Sequence, residues 1–203
     1  MNPVANIFVT GTDTDVGKTL VSAWLCRHTS ANYWKPIQTG DDYDGNVVAK
    51  LSPHTEIIPE AYKLKAPLSP YAAAKAENLE IDPSSLCKIL KNTVIEGAGG
   101  VLVPIAKDFF MADLIEMYCA AALIVAKPKL GVINHLLMTE EILRIRGINI
   151  VGVVMDGEVG DTLVSTIREF SRLEILATIP RSDNLEEILR NTALPQKILQ
   201  ILK

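Results

Sequence analysis

Apolar and polar positions along the chain follow two alternating periods. Short runs rich in β-branched residues recur at 7–10, 93–95, 123–126, 148–155 and 175–179. Each is nearly continuous in apolar residues, the pattern of strands buried on both faces. Longer amphipathic stretches at 18–28, 134–146 and 161–171 read as helices. In the second of these, Leu136, Leu137, Ile142, Leu143 and Ile145 fall near one face of a 3.6-residue period. Tyr33-Trp34-Lys35-Pro36 reads as a further short strand cut off by its proline. Residues 40–52 are polar and turn-rich, then helical, and 72–76 and 84–90 also read as helices. Two short helices are expected after 179.

Strand–helix alternation of this kind predicts an α/β fold with a mostly parallel sheet flanked by helices on both faces. Residues 1–203 show no internal repeat, low-complexity tract or linker and are expected to form a single domain. Ligands of such sheets bind beyond the carboxyl ends of the strands, so informative residues should follow the strands directly.

Composition narrows the function classes. Apolar residues make up 48% and charged residues 22%, ordinary values for a folded globular chain. A formal net charge of −4 disfavours a nucleic-acid partner held by phosphate neutralisation. The run at 7–10 is too short for a signal peptide and lacks basic flanks. The longest apolar stretch, 120–126, stops at Lys127-Pro128, well short of a membrane span. A cytoplasmic protein without membrane or nucleic-acid partners is expected. Cys26, Cys87 and Cys119 have no CxxC spacing and read as small buried thiols. His28, His54 and His135 lack ligand spacing, so zinc is not expected.

The strongest chemical signal follows the first strand. Gly11-Thr12-Asp13-Thr14-Asp15-Val16-Gly17-Lys18-Thr19 links that strand to a helix, the context in which a phosphate-binding loop works. Backbone N–H groups of the loop and the helix start, including those of Asp15, Val16, Gly17 and Leu20, would surround the phosphates. Lys18 would neutralise charge at the β and γ positions, and the Thr19 hydroxyl would bind magnesium. Five residues separate Gly11 from Gly17, one more than the usual motif has. Asp13 and Asp15 would repel a phosphate, so they either point towards magnesium waters, a basic side chain or a cationic substrate, or are solvated turn residues.

Taken with later segments, this loop resembles the dethiobiotin synthetase family. The matching segments are residues 8–19, Lys35-Pro36-Ile37-Gln38-Thr39-Gly40, Pro67-Leu68-Ser69-Pro70-Tyr71-Ala72-Ala73, Glu96-Gly97-Ala98-Gly99-Gly100 with Val103-Pro104, and Lys129-Leu130-Gly131-Val132-Ile133-Asn134-His135. They stand in family order between residue 7 and about residue 182. The resemblance implies a P-loop NTPase fold and an ATP- and Mg2+-dependent ligase. In that reaction CO2 forms a carbamate on diaminopelargonic acid, ATP phosphorylates it, and the second amine closes a cyclic urea.

The same resemblance assigns the residues. Lys35 and Lys18 become the cations beside the carbamate and the transferring phosphoryl group, and Thr14 and Thr39 help hold the substrate. Glu96, at a strand end, completes the magnesium shell with Thr19, and Gly97, Ala98 and Gly99 let backbone approach the nucleotide. Gly131, Val132, Ile133 and Asn134 open a helix and serve the substrate carboxylate across a twofold homodimer interface. Pro180, Arg181 and Ser182 line the base pocket with Asp156 and Gly157. Ser69-Pro70-Tyr71 also reads as a plain helix start, with Ser69 as N-cap and Pro70 first; family members usually carry histidine at Tyr71.

The chain departs from the family twice. The magnesium-binding aspartate after the Lys-Pro segment aligns by helix register with Asn46, and Asp44 is the nearest carboxylate and the expected ligand. Asp156 stands where the family has an asparagine that reads adenine. A carboxylate only accepts hydrogen bonds, which predicts reduced adenine selectivity. The rival reading is a P-loop switch ATPase of the partition or division-site type. Such proteins carry a second lysine early in the loop, where Asp13 stands, and often a basic amphipathic tail; residues 196–203 are short and weakly basic. An amidoligase or a noncatalytic regulatory domain on the same scaffold is a second rival.

Overall fold

The computed structural model describes residues 6–88, 90–118 and 120–202. In chain order the elements are β1 (Asn6–Gly11), α1 (Lys18–Arg27), β2 (Asn32–Trp34), β3 (Ile37–Thr39), α2 (Asp44–Leu51), β4 (Ile57–Ile58), β5 (Tyr62–Leu64) and α3 (Pro70–Ala76). They continue with β6 (Thr93–Gly100), β7 (Pro104–Ala106), β8 (Phe109–Phe110), α4 (Met111–Met117), β9 (Ala121–Ala126) and α5 (Val132–Ile145). The last are β10 (Ile150–Asp156), α6 (Asp161–Phe170), β11 (Ile175–Ile179), α7 (Leu185–Asn191) and α8 (Gln196–Leu199).

Seven strands form one sheet in the order β11-β10-β9-β1-β6-β2-β4, and every neighbouring pair is parallel. The continuous apolar runs are explained by this arrangement: β1 and β9 lie inside the sheet and all of their residues are buried. Successive side chains alternate between two cores. Phe8, Trp34, Ile95 and Ile124 face one layer, with Leu114 of α4 and Leu136 and Leu143 of α5. Ile7, Val9, Tyr33 and Leu123 face the other, with Trp24 and Leu25 of α1 and Leu189 of α7. Each such large side chain contributes roughly 1.5–3 kcal/mol by leaving water. Trp24 also donates its indole N–H to the Thr192 carbonyl at 2.8 Å, which anchors the end of α7 over α1. Among the described residues no helix is long and apolar enough to cross a membrane.

Several expectations need correction. Helix at 84–90 reduces to one 3-10 turn, Pro83–Leu86, because Asp82 caps it through the Ser84 N–H and the chain is extended again at Cys87. Cys87 is exposed rather than buried; Cys26 is buried, and Cys119 lies outside the described residues. Ile145 is 73% exposed, because it falls at the last turn of α5 beyond the edge of the core. Glu96 does not end its strand: β6 runs on through Gly100, whose backbone pairs with Gly11. The short β3–β5 pair, the β7–β8 hairpin and α4 were not anticipated.

Candidate active site

The phosphate loop is held from both sides by the centre of the sheet. Gly11 at the end of β1 pairs with Gly100 of β6 and Val125 of β9, and Thr12 N–H donates to the Val125 carbonyl at 3.0 Å. Val16 is fully buried beneath the loop, while Thr14 and Asp15 are exposed. Gly17 has φ +94°, a left-handed conformation, and starts α1 without any side-chain cap. Uncapped N–H groups at a helix start are donors available to an anion. Gly99 and Gly100 of β6 pack against the same loop, and Gly97 packs on β1 and α4 beneath it. A Cβ on Gly99 would lie 3.8 Å from the Thr14 methyl, and one on Gly97 would strike the Phe8 ring at 2.6 Å.

Beside the loop, on β6 and after β2, lies a compact charged cluster. Thr19 Oγ1 lies 2.8 Å from Asp44 Oδ1 at the start of α2 and 2.9 Å from Glu96 Oε1 on β6. The Lys35 ammonium contacts Asp44 Oδ2 and stands 3.7 Å from Glu96 Oε1. The Tyr33 hydroxyl donates to Glu96 Oε2 at 3.0 Å. Glu96 is 1% exposed and Lys35 8% exposed, so these two charges are paired rather than solvated. Lys18, also 8% exposed, donates to the Asp13 carbonyl at 3.1 Å. Burial works against the Lys35 charge, but Glu96 and then Asp44 outweigh it and hold its pKa above the ordinary lysine range. For Lys18 burial dominates; Glu96 opposes it, Lys35 reinforces it, and the pKa is lowered. Burial, then Glu96 and Asp44, push the Tyr33 phenol well above its usual value.

This donor set suits a hard divalent cation. The Thr19 hydroxyl has one proton and two carboxylate oxygens beside it, so both cannot accept from it at once. Two carboxylates and a hydroxyl are all-oxygen ligands of the kind Mg2+ takes together with substrate phosphates. Among the described residues no group of three or more His, Cys, Asp and Glu side chains gathers to hold a metal, so phosphate and hydroxyl oxygens would have to complete the shell. Asp44, not the exposed Asn46, is the residue that α2 presents to Thr19.

A cleft on the other side of the loop, where the base pocket was expected, is built differently. Leu20, Lys127, Asp156, Pro180, Arg181, Ser182, Asp183 and Leu185 line a cleft of about 480 Å³. Gly157, with φ +123°, follows Asp156 and donates its N–H to the Ile179 carbonyl. Thr39 ends β3 half-buried, where Gln38 Nε2 donates to the Thr39 and Asp42 carbonyls at 3.1 and 2.7 Å. At the start of α5, Gly131 and Asn134 are exposed, Ile133 is half-buried and Val132 packs into the core. Among the described residues no hydrogen bond or ion pair joins residues 131–134 to the Lys35 cluster; their tie to the phosphate loop is the adjacent Lys129, 2.9 Å from Asp13. Sequence reasoning assigned no role to Tyr33, Lys127 or Lys129. Lys127 donates to the Asp15 carbonyl at 2.9 Å and pairs with Asp156 at 3.4 Å. Of the partners weighed for Asp13, a basic side chain is the one present; that hydrogen bond, then the Thr14 N–H, lowers its pKa.

A parallel sheet with this loop at its centre defines a P-loop nucleotide-binding protein, and a family model described as an AAA domain matches residues 5–188. Among solved structures, a ParA family ATPase from Chlorobium tepidum superposes with a TM-score of 0.56 over 96% of this chain and 92% of that one, at 13% identity, a likeness of fold alone. Relatives in sequence are far more specific. The ATP-dependent dethiobiotin synthetase BioD of Paramagnetospirillum magneticum is 49% identical over 85% of this chain and 86% of its own length. The enzyme of the same name from Lawsonia intracellularis is 40% identical over 96% of this chain and 97% of its own. The chain belongs to the dethiobiotin synthetase family.

Proposed function

We propose that this protein is a ligase that makes dethiobiotin from 7,8-diaminopelargonic acid, CO2 and ATP in biotin synthesis. The observation that carries the reading is the Lys35–Asp44–Glu96–Thr19 cluster beside the phosphate loop, in a chain of this family. One amine of the substrate adds to CO2 and loses a proton, giving a carbamate. A carbamate oxygen then attacks the γ-phosphorus of ATP and ADP leaves. The second amine attacks the carbamoyl carbon, the urea ring closes, and phosphate departs with its oxygen.

Negative charge stays on oxygen throughout, so placed cations and N–H donors are the main requirement. Lys35, held in its charged form by two carboxylates, would meet a carbamate oxygen, and Lys18 would meet the phosphoryl group. Thr19, Asp44 and Glu96 would hold Mg2+, which shields the triphosphate charge when bound. Glu96 and Asp44 also fix the Lys35 ammonium, so its direction is set before substrate arrives. Thr14 and Thr39 would position the substrate, and residues Gly131 to Asn134 would take its distant carboxylate in a homodimer. The chain would work as one domain in the cytoplasm, without nucleic-acid or membrane partners.

The test is phosphate release from MgATP and bicarbonate, with and without the diamine. Release should depend on the diamine and fall at least about 100-fold in Lys35→Ala, the scale of losing one charge-stabilising donor. Release independent of the diamine in folded protein would refute the substrate and favour a switch ATPase.

A further inference from the structure

The base cleft holds a largely buried carboxylate paired with one lysine and accepting no hydrogen bond from the described residues. Asp156 ends β10 with its side chain 12% exposed, and it lines the cleft with Leu20, Pro180 and Arg181. Among the described residues its carboxylate receives no hydrogen bond, and its single ion pair is Lys127 at 3.4 Å from Oδ2. The carboxylate is also held close to the phosphate loop. A Cβ on Gly17 would lie 2.6 Å from Asp156 Oδ2, so a base joined to phosphates on this loop must pass near it. Buried polar groups in native proteins find partners, and a carboxylate can only accept.

We propose that Asp156 opens this cleft to guanine nucleotides, so that GTP serves beside ATP as the phosphoryl donor. The inference rests on the nucleotide-binding reading above and adds the identity of the base. Guanine carries two adjacent donors on one edge, N1–H and the N2 amino group, spaced to meet the two oxygens of one carboxylate. Adenine offers on its corresponding edge one amino donor and the N1 lone pair, which faces a carboxylate oxygen unfavourably. Cytosine and uracil each present one donor. A site whose buried group goes unpaired with the wrong ligand discriminates against it. The Lys127 ammonium, tied to the Asp15 carbonyl at 2.9 Å, balances the charge without supplying those two hydrogen bonds.

Calorimetric titration of the whole protein with the magnesium salts of GDP, ADP and IDP tests this without requiring turnover. GDP should bind at least as tightly as ADP, and IDP, which lacks only the N2 amine, about tenfold more weakly than GDP. Asp156→Asn should lower the preference for GDP over ADP by about tenfold. The IDP comparison needs no substitution, so it decides the matter even if the variant fails to fold. ADP binding tenfold tighter than GDP, equal binding of IDP and GDP, or an unchanged ratio in folded Asp156→Asn would overturn the proposal. Absence of binding by all three would overturn it together with the phosphate-loop reading. Loss of diamine-dependent phosphate release with the nucleotide ratios intact would strike the ligase reading alone.

Discussion

The two halves of the candidate site differ in how they are built. The phosphate half rests on β1, β2 and β6, in the interior of the sheet, and its charged groups hold one another. Lys35, Asp44, Glu96, Thr19 and Tyr33 form one connected network, with Glu96 and Tyr33 1% exposed. The other half, the cleft around Asp156, rests on β10 and the edge strand β11. Of β11 only Ile179 is fully buried, and Arg181 and Asp183 in the following loop are exposed. Its one buried charge, Asp156, has a single ionic partner among the described residues. A connected network resists change, because removing any member leaves another charge buried and unpaired. A carboxylate with one ionic partner can be exchanged at smaller cost to the fold. On the proposed reading, group transfer would thus be lodged where substitution is punished, and base choice where it is tolerated.

The sharpest way to break this comparison is at the point where the halves touch. Gly17→Ala puts a methyl group against the whole Asp156 side chain, with Oδ2 at 2.6 Å, on a backbone at φ +94°. The strain is about 1–3 kcal/mol before any collision. Thermal unfolding should fall by at least several degrees and nucleotide affinity at least about tenfold. Shortening the neighbour in the double variant Gly17→Ala/Asp156→Gly should recover part of that loss. If the single variant melts and binds like the parent, the two halves are not in contact as described.

Tyr33→Phe probes the network more gently. It removes the 3.0 Å hydrogen bond to Glu96 without opening a cavity, a loss of about 1–3 kcal/mol because the acceptor is charged and buried. Phosphate release should slow several-fold and the magnesium requirement should rise, with the nucleotide base preference unchanged. An altered GDP-to-ADP ratio in this variant would show that the halves are not independent.

The smallest effect is expected at the surface link between Asp13 and Lys129, whose side chains are 40% and 49% exposed. Asp13→Asn should change stability by no more than about 0.5 kcal/mol, less at high salt. The Asp13 pKa is lowered, first by the Lys129 hydrogen bond, so its contribution is present above its ordinary value near 3.8 and fades as pH falls through the lowered one. Melting curves of parent and variant should therefore differ slightly at neutral pH and converge in strong acid.

Much of this was legible in the chain itself. Continuous apolar runs identified the interior strands β1, β6, β9 and β10, because residues buried on both faces must be apolar, whereas the similar run at 175–179 is the half-buried edge strand β11. The phosphate loop and the Lys35-Pro36 segment were readable because each directly follows a strand, whereas Glu96 lies within β6. What sequence reasoning missed shares one cause. Tyr33 looks like any strand aromatic until β2 pairs beside β6 and brings its hydroxyl to a carboxylate 63 positions away. Lys127 and Lys129 look like helix-flanking charges until β9 lies next to β1 and sets them against the phosphate loop. Asp44 was the expected ligand although helix register pointed to Asn46, and the packing of α2 on α1 is what brings its carboxylate to Thr19.

The amino-acid sequence by itself thus determined the α/β architecture, the phosphate loop and the family, because each is written in contiguous residues whose periodicity or spacing is itself the signal. Tertiary structure alone decided which charges meet. Pairing among Lys35, Asp44 and Glu96, and the isolation of Asp156, depend on strands distant in sequence becoming neighbours, and Coulomb and hydrogen-bond energies are felt only at those few ångströms.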